Sequence, residues 1–134
     1  MVRKEAVVTI VEFGDEVLVV KKVDDDGASL MSDKWHLPGE TKQDGEPDEY
    51  AVRRGIYEEA SVLVTGIVYV ASSRTPKDTS LKWYRCKALS RQIVPGDDVV
   101  DGKWVDRKNV PYVCDKVSVE LWPKEIREYF RLVD

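Results

Sequence analysis

The chain has 134 residues, 43% of them hydrophobic, which predicts one domain over residues 1–134 with a substantial core. Its formal net charge of −4 at pH 7 argues against a general nucleic-acid surface and against an anionic membrane surface. No apolar run reaches the roughly 20 residues of a membrane span, and no signal peptide is recognisable, so we expect a cytoplasmic location.

Alternating polar and apolar residues predict two strands near the start of the chain, residues 4–12 and 16–22, joined by a turn at Gly14. The acidic run after the second strand, residues 24–26, is predicted as an exposed turn because the ligand spacing of a calcium loop is missing. Leu37-Pro38-Gly39 then ends a strand and begins an irregular loop.

A helix is predicted from Pro47 to about Ala60. Proline suits the first helical position, and the acids after it complement the positive end of the helix dipole. Val52 and Ile56 belong to the buried stripe of this helix. Its polar face carries Arg54, Gly55, Glu58 and Glu59.

Beyond this helix, three further strands are predicted at residues 62–71, 81–89 and 103–106. Pro123 begins a final helix with Ile126, Tyr129 and Phe130 on its apolar face. Strands on both sides of a central helix, with another helix at the end, predict an α/β fold in which helices cover both faces of a mixed sheet.

Glu58 and Glu59 are candidate metal ligands. Carboxylates gathered on one helix face repel each other unless a cation lies among them, and hard oxygen ligands suit Mg²⁺, with Mn²⁺ as an alternative. Such an ion can bind the phosphates of a substrate in turn.

The stretch from Trp35 to Val62, WHLPGETKQDGEPDEYAVRRGIYEEASV, resembles the Nudix box. That box is a Gly, five residues, Glu, seven residues, Arg-Glu, an aliphatic residue, any residue, Glu-Glu, any residue, Gly and an aliphatic residue. The box positions that match are Glu46, Arg54, Ile56, Glu58, Glu59 and Val62. The box is degenerate at Glu40 and Ser61, which replace glycines, and at Gly55, which replaces a glutamate.

The resemblance implies a Nudix-like α/β/α sandwich. It also implies metal-dependent hydrolysis of a small-molecule nucleotide, a nucleoside diphosphate linked to another group. Glu58 and Glu59 are then expected to hold metal, with Glu46 at the edge, while Arg54 orients the carboxylates through an ion pair one helical turn away. The metal would lower the pKa of the attacking water.

The substitution at Gly55 removes an acid that contacts metal or acts as the base in many family members. Glycine within a helix costs about 1 kcal/mol relative to alanine, so it is not an obvious stabilising change. Three interpretations are open: a catalytically weakened nucleotide-binding or sensing module, close packing against another backbone, or relocation of the acid. Candidates for the relocated acid are Glu40, as both ligand and base, Asp98 and Asp101; the preferred interpretation of Glu40 is nevertheless a solvent-exposed loop acid, because loop glutamates are usually exposed. Without any replacement, Gly55→Glu should raise the rate.

Arg74 and Lys77 lie in a polar loop and are candidate ligands of substrate phosphates. Trp83 and Tyr84 could offer an aromatic surface to a base, but alternation puts them on opposite faces, so at most one should do so; Tyr84 is the candidate. Pro76 lies near a proline typical of ADP-ribose members of the family, which slightly favours an ADP-ribose-like substrate over a dinucleotide.

The remaining polar and sulfur residues carry no metal-site pattern. Cys86 and Cys114 are predicted as free thiols, one of them buried and the other in a loop. His36 is the only histidine and is predicted as a hydrogen-bonded loop residue. Ser61 is expected to change how the chain leaves the central helix. A monomer and a homodimer both stay open.

Overall fold

One mixed sheet organises the part of the chain that this computed structural model describes, residues 4–26 and 32–132. Its strands are β1 (Glu5–Phe13), β2 (Glu16–Lys22), β3 (Trp35–His36), β4 (Gly39–Thr41), β5 (Val64–Arg74), β6 (Ser80–Ala88) and β7 (Val99–Asp106). The helices are α1 (Asp48–Ala60), α2 (Val110–Val113), α3 (Lys116–Glu120) and α4 (Lys124–Tyr129), with a 3₁₀ turn at Arg107–Asn109.

The strand order is β3-β2-β1-β6-β5, with β4 also paired to β1 and β7 to β2. Only the β1–β6 pair is parallel among the described strands, and the others are antiparallel. The pairing of the short strand β4 places Glu40 opposite Val7 of β1. A residue expected in an irregular loop is thereby held at a defined position beside the sheet.

The two faces of the sheet are covered by different helices. Along β2, Leu18 and Val20 join one core cluster, which also holds Val52 and Ile56 of α1. The intervening residues of β2 point to the opposite face and join the cluster that contains Ile126 of α4. This alternation results from the two-residue period of a strand. The predicted α/β/α sandwich with a mixed sheet is therefore confirmed.

The predicted helices lie close to their expected bounds, with Pro47 preceding α1 and Pro123 preceding α4 as N-caps. Ser61 does not alter the exit of α1 as expected. It adopts the left-handed conformation, φ 59° and ψ 30°, that the glycine of the box would supply, and its hydroxyl donates to the carbonyl of Val94 at 3.1 Å. This hydrogen bond offsets part of the strain of a non-glycine residue there.

Cys86 and Cys114 are both free, as expected; Cys114 lies in the short connection between α2 and α3, and both thiols are buried. No helix within residues 4–26 and 32–132 is long and apolar enough to cross a membrane.

Candidate functional site

The side chain of Glu40 fills the space that a side chain at position 55 would need. A Cβ atom added to Gly55 would lie 2.6 Å from Cβ and 3.2 Å from Cγ of Glu40, and 3.8 Å from its Oε2. Cβ is fixed to the backbone and cannot swing aside as the tip of a flexible side chain can. A side chain at position 55 is therefore incompatible with glutamate at position 40 on this backbone. Glycine in the helix interior is explained by close packing, and the packing partner is itself an acid.

Glu40 belongs to a cluster of three carboxylates. One oxygen each of Glu40, Glu58 and Asp97 can be chosen so that all lie within 4.8 Å of one another. We call these residues the outer cluster. Burial raises the pKa of the Glu40 carboxyl; Arg54 opposes that effect, and the negative charges of Glu58 and Asp97 add to it. Three carboxylates at this separation favour a cation between them.

Glu59 lies behind the outer cluster and is completely buried. Its Oε2 accepts a hydrogen bond from Lys22 Nζ at 2.7 Å, and the same ammonium donates to Asp98 Oδ1 at 3.0 Å. Its Oε1 is buried with no hydrogen-bond partner among the described residues. Burial raises the pKa of Glu59 to about 7, although the Lys22 ammonium lowers it. An unpartnered buried carboxylate oxygen is costly unless a donor or a metal reaches it.

Arg54 ties the helix to the loop after β4. Its guanidinium donates to both oxygens of Glu46, at 2.7 and 2.9 Å, to Glu58 at 3.1 Å and to the carbonyl of Thr41 at 3.0 Å. Hydrogen bonds from Arg54, and then from the backbone N–H of Gln43, lower the pKa of Glu46 to about 2. Both Glu46 oxygens are thus engaged, so the structure places Glu46 as the anchor of Arg54, apart from the outer cluster.

The loop before β7 delivers the remaining acids. The backbone N–H groups of Val94 and Gly96 donate to the carbonyls of Ala60 and Glu59, at 2.9 and 3.1 Å. The loop thereby satisfies carbonyls that the C-terminal end of a helix leaves open.

Asp97, the residue after Gly96, is the acid that sequence reasoning missed. Of the two acids named in its place, Asp98 pairs with Lys22, and Asp101 accepts a hydrogen bond from the N–H of Gly102 at 2.8 Å. The acidic run in this loop was visible in the sequence, but the docking of the loop on α1 decides which of its acids faces the helix.

A cleft of about 620 Å³ adjoins the outer cluster, and Glu40, Asp97 and Lys22 line it. The same cleft is lined by Arg74 and by three large apolar side chains, Leu81, Trp83 and Trp122. This combination of carboxylates, cations and aromatic rings is typical of a site for a small polar molecule with a planar group.

The predicted substrate ligands lie in different places. Arg74 lines the cleft and is half-exposed, with Asp78 as a partner at 2.6 Å. Tyr84 donates from its hydroxyl to Asp48 at 2.6 Å and meets the Tyr69 ring edge to face, with ring centroids 5.8 Å apart. Neither Tyr84 nor Lys77 is among the described residues that line the cleft. As predicted, the two-residue period of the strand places Trp83 and Tyr84 on opposite faces. Trp83, not Tyr84, is the one that lines the cleft.

Comparison with known proteins identifies the class. The family model of the NUDIX domain matches residues 1–129, so the chain belongs to the Nudix hydrolase family. A search of curated proteins found no match.

Solved structures share the fold. A NUDIX hydrolase from Nitrosomonas europaea superposes with a TM-score of 0.79 at 21% identity, over 98% of this chain and 72% of that one. The NUDIX domain of Shewanella oneidensis NrtR, solved with ADP ribose, gives 0.72 at 19% identity, over 99% and 90%. A bifunctional NMN adenylyltransferase/ADP ribose pyrophosphatase from Francisella tularensis, solved with AMP and a Mn ion, gives 0.65 at 21% identity, over 84% and 38%.

Proposed function

We propose that this chain is a metal-dependent hydrolase of a nucleoside diphosphate linked to another group. The observation that carries the proposal is that the glutamate at position 40 fills the space left by the glycine at position 55. The side chain of the acid missing from α1 is replaced in space by a glutamate from β4, whose Cβ lies 2.6 Å from where a Cβ of residue 55 would be. If the chain had only lost its catalytic acid, a second carboxylate would not be expected at that position.

The residues present fit a divalent cation. Glu40, Glu58 and Asp97 converge, and the buried Glu59 carries an oxygen with no partner among the described residues. This donor set consists of carboxylates, which suit Mg²⁺ and Mn²⁺ better than soft metals. Glu46 keeps Arg54 in place and is not part of the proposed ligand set.

The chemistry then divides among the chain's own side chains. A bound ion would neutralise diphosphate oxygens and lower the pKa of a water molecule. The Glu40 carboxylate, which lies in the outer cluster, accepts the proton of the attacking water. Arg54 forms an ion pair with Glu58 and thereby orients its carboxylate. Arg74 binds phosphate oxygens through its guanidinium, exchanging its surface partner Asp78 for the substrate.

The aromatic residues of the cleft favour a substrate with a base. Trp83 is fixed by a hydrogen bond from its Nε1 to Ser73 Oγ at 2.9 Å, and Trp122 lines the same cleft. Trp83 is 4% exposed and Trp122 7%, so each offers the cleft only a small apolar surface, against which an adenine or another base would pack. ADP-ribose is the first compound to test, because the similar Shewanella domain was solved with it; dinucleotides come second. Lys77 and Tyr84 stay weaker candidates for substrate contacts.

The experiment is a screen of ADP-ribose, dinucleoside polyphosphates, nucleotide sugars and nucleoside triphosphates, with Mg²⁺ or Mn²⁺ and with chelator. We expect metal-dependent turnover that falls by about 10²- to 10⁴-fold in Glu40→Gln and by a similar factor in Glu58→Gln, with both variants folded. Glu49→Gln, on the exposed face of the same helix, is the matched control and should retain full turnover. Wild-type rates in both site variants would reject the site.

The alternative is a nucleotide-binding module with little turnover. The observation that favours it is the ion pair between Lys22 and Glu59, which supplies one carboxylate of the site with a cation of its own. Under this alternative, a nucleotide raises the melting temperature while no product forms under any metal condition. Turnover on any compound of the screen decides for the hydrolase.

Gly96 offers a test of the loop that carries Asp97. A Cβ at Gly96 would lie 2.6 Å from the backbone oxygen of Glu58, so Gly96→Ala must push the loop away from α1. We expect Mn²⁺ affinity to fall by about 10- to 100-fold, as for other changes that displace a ligand's support.

Titration calorimetry of the folded variant measures this affinity. Gly14→Ala is the control. Its φ of +59° makes an alanine strained there, but no atom lies within 4 Å of the added Cβ, so this substitution introduces strain without a clash. If Gly96→Ala binds Mn²⁺ as the wild type does, Asp97 is not a ligand.

A further inference from the structure

The acids at the end of α1 form two groups with different counter-ions. The outer cluster consists of Glu40, Glu58 and Asp97, of which Glu40 and Asp97 line the cleft. Glu59 and Asp98, which we call the inner carboxylates, share the Lys22 ammonium at 2.7 and 3.0 Å. Each group takes one residue from the helix and one from the loop before β7, and these are sequence neighbours. Lys22 and Asp98 line the same cleft as Glu40 and Asp97, so the two groups are neighbours.

Lys22 is held where it is by the sheet. It is the last residue of β2, its pairing with Val99 of β7 comes after a register shift, and its N–H donates to the Lys34 carbonyl at 3.1 Å. Its side chain is only 16% exposed. A freely rotating lysine would turn its ammonium into solvent. In Lys22 the aliphatic part of the side chain is enclosed, and the ammonium is directed at the inner carboxylates.

An ammonium at these distances takes the position that a metal ion would need. The oxygens that Lys22 contacts, Glu59 Oε2 and Asp98 Oδ1, are the oxygens through which an inner ion would bind both acids. Two cations within a few ångströms of each other repel strongly in a partly buried site. The outer cluster is paired less closely: Nη1 of Arg54 donates to Glu58 Oε1 at 3.1 Å and lies 3.8 Å from Glu40 Oε2, and no cation among the described residues pairs with Asp97.

We infer that Lys22 is the resident cation of the inner carboxylates and that the protein consequently binds one divalent ion per chain, at the outer cluster. Lys22 is thus a positioning residue: it neutralises Glu59 and fixes Oε2, which leaves Oε1 as the only oxygen of Glu59 available to an ion. The inference rests on the proposed metal site, and it adds the number of ions and the residue that sets it.

The test counts ions on the full chain without substrate. Mn²⁺ is titrated into the metal-free protein, and the free ion is followed by electron paramagnetic resonance. The wild type is expected to bind one ion, and Lys22→Gln two, because removal of the ammonium leaves the inner carboxylates free to bind a second ion. Lys21→Gln is the matched control: it removes the neighbouring lysine, which pairs with Asp33 at 3.3 Å, and should still bind one ion.

Two strongly bound ions in the wild type would overturn the inference, and so would a single ion in folded Lys22→Gln. Lys22→Met, which keeps the apolar stem, is judged by the same criteria if Lys22→Gln does not fold. Failure of the underlying site looks different. If Glu58→Gln binds Mn²⁺ as tightly as the wild type, the outer cluster is not the metal site, whatever the ion count.

Discussion

Gly55→Glu by itself is expected to lower turnover, whereas the double exchange Glu40→Gly/Gly55→Glu should restore most of it. The single change places a Cβ 2.6 Å from Cβ of Glu40, so β4 must move away from α1. Overpacking of this kind costs about 1–3 kcal/mol, which exceeds the gain of roughly 0.6 kcal/mol expected from replacing a helix-interior glycine. Glu40→Gly alone removes the proposed base and should cost about 10²- to 10⁴-fold in rate.

The wild type, the two single variants and the double variant form a double-mutant cycle. Turnover of one verified substrate with Mg²⁺ and the melting temperature are measured for each protein. A strong coupling between positions 40 and 55 is the expected outcome. The idea fails if Gly55→Glu retains wild-type rate and stability, or if the double variant is as slow as Glu40→Gly. The sequence by itself predicts the opposite sign for Gly55→Glu, a gain in rate, because it does not show that the space is filled.

Lys22→Met is expected to destabilise the metal-free protein by up to about 3 kcal/mol at about pH 9, roughly two pH units above the pKa of Glu59, since it leaves a buried carboxylate without its partner. Glu59 has no exposed surface, so water cannot replace the ammonium. Lys22→Met/Glu59→Gln should regain much of the loss because the double variant buries no charge there. Lys21→Met, whose pair with Asp33 is partly exposed, should cost no more than about 1 kcal/mol.

These free energies of unfolding are measured by urea denaturation with chelator present. The loss in Lys22→Met should also depend on pH. Burial raises the pKa of Glu59 from 4.5 to about 7, so between these values the folded state binds more protons than the unfolded state and stability falls as pH rises. Removing Lys22 raises that pKa further and extends the fall to higher pH. The two proteins should therefore converge below about pH 7 and diverge above it; a constant difference would show that Glu59 is not the group responsible.

The sequence by itself determined the class of the protein and its central helix. The start of α1 is set by Pro47 and the acids after it, which are local signals that act within one turn. The spacing of Arg54, Glu58 and Glu59 is also determined by the sequence, because residues four apart share a helix face in any fold. Alternation correctly placed Trp83 and Tyr84 on opposite faces of β6, for the same reason: the period of a strand is local.

Only the tertiary structure decided which face of β6 meets the cleft, which acid lies in the space left by Gly55 and which acid pairs with Lys22. Glu40 reaches Gly55 because β4 pairs with β1. Asp97 joins the outer cluster because the loop before β7 binds the carbonyl end of α1. Lys22 and Glu59 are separated by 37 residues and meet only when the sheet and helix pack. Contacts of this kind depend on strand register and loop docking, which no periodicity or spacing within a single element specifies.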